Sequence, residues 1–244
     1  MALPIPFPTN LLIEKKTNTG YARNLWAPSS IDYKVYDDGF FGDALDAIYP
    51  AAKTNGTSAA VTFTEHSAGG FLKFISGTAD DGYAGQGLGL HFTGDRGILM
   101  EAIFKTPAAI TTLKFEIGLS DADDDAGAIN AKATASLTAA DCAVLVFDTD
   151  DDTNWAAISA KGGTATSTQD ISDTPVAAAT VYRVAIRVEG DSVGYYINGT
   201  QVAGHPNAVE GGTALTPWFF CQARAGSASR QMELIRWRVL YPAY

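Results

Sequence analysis

The stretch Val181–Gly204, "VYRVAIRVEGDSVGYYINGTQVAG", decides the fold. Tyr182, Val184, Ile186 and Val188 fall on one face of its first half, and Arg183, Arg187 and Glu189 on the other. A period of two is that of a half-buried strand. The second half carries Asn198-Gly199. That pair suits a two-residue type I′ turn, in which both central residues need positive φ. The expected register pairs Ile197 with Thr200, Tyr196 with Gln201 and Tyr195 with Val202. Val193, Tyr195, Ile197 and Val202 then share one face, and Tyr196 and Gln201 the other. The Asn-Gly tip is expected to bend the chain before it does anything else.

The same period recurs outward from this hairpin. "TLKFEIGL" sets Leu113, Phe115, Ile117 and Leu119 against Lys114 and Glu116. "ELIRWRVLY" sets Ile235, Trp237, Val239 and Tyr241 against Arg236 and Arg238. "CAVLVF" is apolar on both faces and reads as a central strand. Further candidate strands are "AAVTFTE", "GFLKFIS", "GLGLHFTG", "GILMEAIFK", "NWAAISA" and "TPWFFCQA". About a dozen short strands separated by Gly, Asp and Asn form the pattern of an antiparallel β-sandwich or jelly roll. Helix is expected only as short pieces, at "DALDAIYPA" and in the Ala-rich "AINAKATASLTAA", which reads as loop or short helix.

Residues 1–30 read as an extended arm, and residues 31–244 as one sandwich. In the arm Leu3, Ile5 and Phe7 alternate with Pro4, Pro6 and Pro8, and Leu11 and Leu12 follow. Proline fixes φ, removes a donor and keeps the preceding residue extended. These eight residues are expected to cross another protein chain, because Leu3, Ile5, Phe7, Leu11 and Leu12 are apolar and have no local partner; the rival reading is that the arm folds back on its own sandwich and covers a sheet edge.

The bulk numbers exclude several classes. The chain has 244 residues, of which 46% are hydrophobic, which argues against disorder. A net charge of −10 argues against binding nucleic acid. No run approaches the roughly 20 apolar residues of a membrane span, and the N-terminus lacks the form of a signal peptide. Cys142 and Cys221 lie in apolar runs and read as buried thiols, bridged only if their strands are neighbours.

Little in the sequence points to chemistry. Glu101 and Glu116 each stand alone on a strand and read as solvated or paired carboxylates. His66, His91 and His205 form no zinc spacing. "GYAGQGLG" lacks the lysine of a phosphate loop and reads as a flexible loop. "SDADDDAG" and "FDTDDDTN" place Asp at alternate positions (Asp121, Asp123 and Asp125; Asp148, Asp150 and Asp152), as calcium loops do, but each is also ordinary turn chemistry. The expectation is therefore no catalytic residue, no cofactor and no metal. Tyr196 and Trp155 are candidate aromatic platforms for a glycan, and the four Trp also read as core.

With these motifs in hand, "VYRVAIRVEGDSVGYYINGTQVAG", "ALTPWFFCQAR" and "ELIRWRVLY", in that order, resemble the C-terminal half of a concanavalin A-like (laminin-G-like) jelly roll. "DDGFFGDALD", "GGFLKFISGT", "GILMEAIFK" and "FEIGLSD" are similar to jelly rolls among tailed-bacteriophage virion components. Glycanases of that fold carry a strand with E-x-D-x-E, and this chain has none. The resemblance implies a non-enzymatic virion structural protein, such as a capsid decoration or cement protein made in the host cytoplasm. Its partners would be sister subunits in a homotrimer and a major capsid protein. The alternative it implies is a carbohydrate-binding, lectin-like module or a tail or fibre component. The fold alone does not choose between them.

Overall fold

The computed structural model describes residues 33–40, 48–65, 70–89, 92–122, 127–226 and 229–242. Two antiparallel eight-stranded sheets pack face to face. The first runs, in spatial order, β16 (Thr200–His205), β15 (Ser192–Ile197), β14 (Val181–Glu189), β7 (Ile98–Lys105), β18 (Gln231–Pro242), β4 (Phe71–Ile75) and β3 (Ala60–Thr64). β1 (Tyr33–Asp38) also pairs with β18, with Tyr33 opposite Pro242 and Asp38 opposite Trp237. The second runs β13 (Thr164–Ile171), β12 (Trp155–Lys161), β11 (Cys142–Asp148), β8 (Leu113–Ser120), β17 (Ala214–Ala223), β5 (Tyr83–Gly87) and β2 (Lys53–Asn55), with β6 (Phe92–Thr93) beside β17. A two-stranded ribbon, β9 (Ile129–Ala131) and β10 (Ser136–Leu137), stands apart from both. Among the described residues the only helix is a 3-10 turn at Gly94–Arg96.

The main core is built from the inward halves of the alternating strands. Phe104, Phe115, Trp155 and Tyr182 meet ring to ring between the sheets, with centroids 5.1 to 6.2 Å apart. Phe219 and Tyr36 flank Trp237 in the same layer. Such aromatics bury large areas and hold the two faces in register.

β11 is buried on both faces, as the unbroken apolar run of "CAVLVF" predicts. β8 is buried on both faces as well, although its alternation predicts only one. Their inward residues Phe115, Ile117, Ala143, Leu145 and Phe147 join the main core. Their outward residues Cys142, Val144 and Val146 join Ala156, Ile158, Trp218 and Phe220 in a second, smaller cluster. Cys142 and Cys221 are both free. β8 lies between their strands, and the two thiols belong to different clusters, so they have no route to a bridge.

Further local expectations need correction. Ile235 does not take the inward place, because a bulge between Leu234 and Arg236 puts Leu234 in the core instead. "GYAGQGLG" is not a flexible loop: Tyr83–Gly87 is β5, inside the sheet between β17 and β2. Its glycines make room for a neighbour, since a Cβ at Gly85 would stand 2.9 Å from the Trp218 ring. The Ala-rich segment contains the β9–β10 ribbon rather than a helix. The hairpin keeps its expected two-residue turn, with Asn198 at φ 50 and Gly199 at φ 85. Its register slips by one beyond Tyr196, so Tyr195 faces Ala203 and not Val202. A bulge takes up Val202, and both Val202 and Ala203 still pack against the core. The arm residues Leu3, Pro4, Ile5, Pro6, Phe7, Pro8, Leu11 and Leu12 lie outside the described residues, as do His66, His91 and most of "DALDAIYPA".

Candidate functional site

Each sheet has a face turned away from the core, and the two faces differ. The outer face of the second sheet is closed by the chain itself. Lys114 and Glu116 point outward from β8, pair at 2.8 Å, and are 1% and 0% exposed. Glu116 accepts hydrogen bonds from the backbone of Ala128 (2.6 Å) and Ile129 (3.2 Å). Lys114 donates to the Ile129 carbonyl and lies 5.1 Å from the Phe220 ring centre. Gly127, at φ +125, lets the chain press against Glu116, where a Cβ would come within 2.7 Å of the carboxylate.

A second buried lysine fastens the other end of the ribbon. Lys132 pairs with Asp152 at 2.5 Å and with Asp151 at 3.4 Å. Partial burial pushes the Asp152 carboxyl up, but the bonds from Lys132 and from the Asn154 N–H outweigh it and hold the carboxyl below its usual value. Asp148 is forked by Arg224, at 2.9 and 2.5 Å. Asp148 and Asp152 of the second candidate calcium loop are thus bound to cations of the protein itself. Asp123 and Asp125 of the first lie outside the described residues. Among the described residues no three His, Cys, Asp or Glu gather as metal ligands.

Among the described residues, no segment is laid over the outer face of the first sheet. A groove of about 260 Å³ crosses β7, β14 and β15, lined by Leu99, Glu101, Arg183, Ala185, Arg187, Tyr196 and Gly199. Pairing explains its shape. Ala185 faces Glu101 on one side and Tyr196 on the other, so one short side chain stands between two long ones. Arg183 and Arg187 lie two residues either way along β14, roughly 13 Å apart at the Cα atoms, and close the ends. Tyr196 lies over Gly194, where a Cβ would stand 3.3 Å from its ring, and the ring is half-buried.

Charge on this face is organised about Glu101. It bonds Arg183 through Oε1 at 2.5 Å, and Arg238 through Oε2. Arg187 pairs with Glu189. Arg236 is forked by Asp37 at 2.9 and 2.6 Å, and that bond and the nearby Glu101 charge raise its pKa against the opposing effect of burial. The turn supports the groove as well. The Asn198 side chain accepts from the Arg183 N–H at 3.0 Å, and the Asn198 N–H donates to the Arg183 carbonyl at 2.7 Å.

The folded chain therefore brings Glu101, Arg183, Arg187 and Tyr196 together and sends Glu116 elsewhere. Trp155, the other candidate platform, is fully buried, as are Trp218 and Trp237. Ala185 and Gly194 were not legible as site residues, because they contribute space. His205 is a core group: Nδ1 meets Ser159 at 2.9 Å, Nε2 meets Thr168 at 2.9 Å, and Ser159 meets Tyr195 at 2.5 Å.

No family model matches the chain, and no curated protein sequence matches it significantly. Solved structures do. A protein of unknown function from Shewanella oneidensis MR-1 is 15% identical, with a TM-score of 0.56 over 89% of this chain and 90% of that one. A β-glucanase of Bacillus licheniformis is 9% identical, with a TM-score of 0.55 over 84% and 97%. The carbohydrate recognition domain of Emp47p is 8% identical, with a TM-score of 0.56 over 88% and 99%. Nothing in these likenesses links the chain to a virion. The expectation of a non-enzyme is overturned, since enzymes such as the glucanase share the architecture. That expectation rested on local spacing such as E-x-D-x-E, whereas a sheet assembles polar groups across strands: Lys114, Asp148 and Gln222 stand in one row here from three distant segments. What the likenesses establish is the architecture, a concanavalin A-like antiparallel jelly roll.

Proposed function

We propose that the chain binds carbohydrate, with the groove across β7, β14 and β15 as the seat of the sugar. The observation that carries this reading is the Tyr196 ring laid on the sheet over Gly194, in one groove with Glu101 and Arg183. An aromatic face receives the apolar face of a sugar ring, while a carboxylate and a guanidinium bind its hydroxyls in fixed directions. The groove is below the roughly 300–1,000 Å³ of sites that enclose a whole small ligand. It suits part of a longer chain lying across the sheet. The Emp47p likeness supports the same class, as a carbohydrate recognition domain of the same architecture.

The test is a glycan array read with the wild-type protein and with Tyr196→Ala. The wild type is expected to bind at least one glycan, and the variant to lose about tenfold or more in affinity. Rings laid over strand glycines also shield the backbone, so melting temperature is followed in parallel. A variant that melts lower yet binds equally well would make Tyr196 a cover for Gly194 and end this reading of the groove. Release of reducing sugar from the same panel is measured alongside, because glucanases share the architecture.

A further inference from the structure

We infer that the groove prefers a sugar bearing a carboxylate, and that Arg183 receives that carboxylate. This rests on the carbohydrate reading and names the class of sugar. Glu101 is 13% exposed and is held from one side by Arg238, itself 17% exposed, and from the other by Arg183, which is 55% exposed. One carboxylate shared by two guanidiniums leaves this trio with a net charge of +1. Arg183 meets Glu101 through a single nitrogen, Nη2. A guanidinium has five N–H donors in a planar fork that matches a carboxylate edge to edge. Its backbone is fixed by the two bonds to Asn198, so the fork is presented from a rigid strand and not from a loop.

The rest of the molecule sharpens the point. The chain carries a net charge of −10, which repels anions at long range. A preference for an acidic glycan thus has to arise locally, at a cationic place such as this one. The pairing orders the contacts: the Tyr196 ring lies over Gly194, on the Arg187 side of Ala185, so a sugar chain seated on it would run past Glu101 and bring a carboxylate to the Arg183 end of the hollow.

The experiment uses oligomers of galacturonic, glucuronic and mannuronic acid, each paired with the same oligomer after reduction of its carboxyl groups to hydroxymethyl. Binding is measured by calorimetry for the wild type, Arg183→Gln and Arg183→Lys, with melting temperature as the check on folding. At least one acidic oligomer is expected to bind about tenfold more tightly than its reduced partner, and more weakly as salt rises. Arg183→Gln is expected to bring the pair within about twofold, mostly by weakening the acidic member. Arg183→Lys keeps the charge without the fork and is expected to fall between. Reduced oligomers that bind as tightly as the acidic ones would overturn the inference, as would a preference unchanged in Arg183→Gln. If only neutral glycans bind, the inference fails and the carbohydrate reading stands. If no glycan binds, both fail.

Discussion

The two outer faces of the sandwich solve the same problem in opposite ways. The strands of the second sheet carry Val144, Val146, Ile158, Trp218 and Phe220 outward, and the β9–β10 ribbon with its flanking residues is laid over them. An apolar face of that size left in water would be an aggregation hazard. Closing it, however, brings backbone N–H and C=O groups against the sheet, and these need partners. Lys114 and Glu116 supply them. The first sheet instead carries arginines and glutamates outward, and no described segment covers it. The lesson concerns charge: a pair on one face is buried and serves the fold, and a trio on the other stays more exposed.

The largest effect is expected where the closed face is broken. Glu116→Ala leaves Lys114 buried without its counter-charge and two N–H groups without an acceptor, so unfolding in urea is expected to show a loss of about 3–5 kcal/mol. Glu116→Gln, which restores an acceptor but no charge, is expected to recover only part of it. A loss under about 1 kcal/mol for the alanine variant would mean that the ribbon does not depend on the pair.

On the open face the strongest structural response is expected at the turn. Asn198→Ala puts a Cβ-bearing residue without a capping side chain at φ 50 and removes the bond to the Arg183 N–H. A loss of about 1–2 kcal/mol is expected, with Asn198→Gly costing less because glycine accepts the left-handed region. Equal losses for the two would show that the side-chain bond, and not φ, is what matters.

A smaller effect joins the two sheets at their edge. Burial lowers the His205 pKa below its usual 6.5. The unfolded chain then holds the proton more tightly than the folded one. Stability from this group is therefore complete above about pH 6.5 and is lost as pH falls from there through the depressed folded value. His205→Gln is expected to flatten the slope of melting temperature against pH in that window. An unchanged slope would assign the acid sensitivity to other groups.

The smallest effect on stability is expected in the groove itself. Arg183→Gln leaves Glu101 paired with Arg238, so urea unfolding is expected to shift by no more than about 0.5 kcal/mol while glycan affinity falls. A large loss of stability without a change in binding would reverse the contrast between the faces.

The alternation in Val181–Glu189 and Leu113–Ser120 made the residues facing the main core legible, because they recur at every second position. In Gln231–Pro242 it was legible only from Trp237 onward, since the bulge between Leu234 and Arg236 leaves no trace in the apolar pattern. β5 was illegible for a related reason: Gly85 takes its place in the sheet by what it omits, and the bulk that fills the gap belongs to Trp218. β13, "TATSTQDI", lacks apolar alternation because it is an edge strand whose polar side chains meet solvent. The site divides in the same way. Tyr196 stood out as an aromatic on the polar side of its strand, and Glu101 as a lone carboxylate. Their convergence was not visible, since it depends on the row Glu101–Ala185–Tyr196 across three strands.

The pairing of β1 with β18 also has a mechanical consequence. Tyr33 and Pro242 face each other at one end of this antiparallel ribbon, and the register runs from there to Asp38 and Trp237. Tension applied between those two residues would load the ladder one rung at a time, as a zipper opens, and not all rungs in shear. The first strand would peel away at low force, exposing the Tyr36 contact with Trp237, while the groove on β7, β14 and β15 stayed folded on the far side of β18. A sugar held there would outlast the first yield of the module under load.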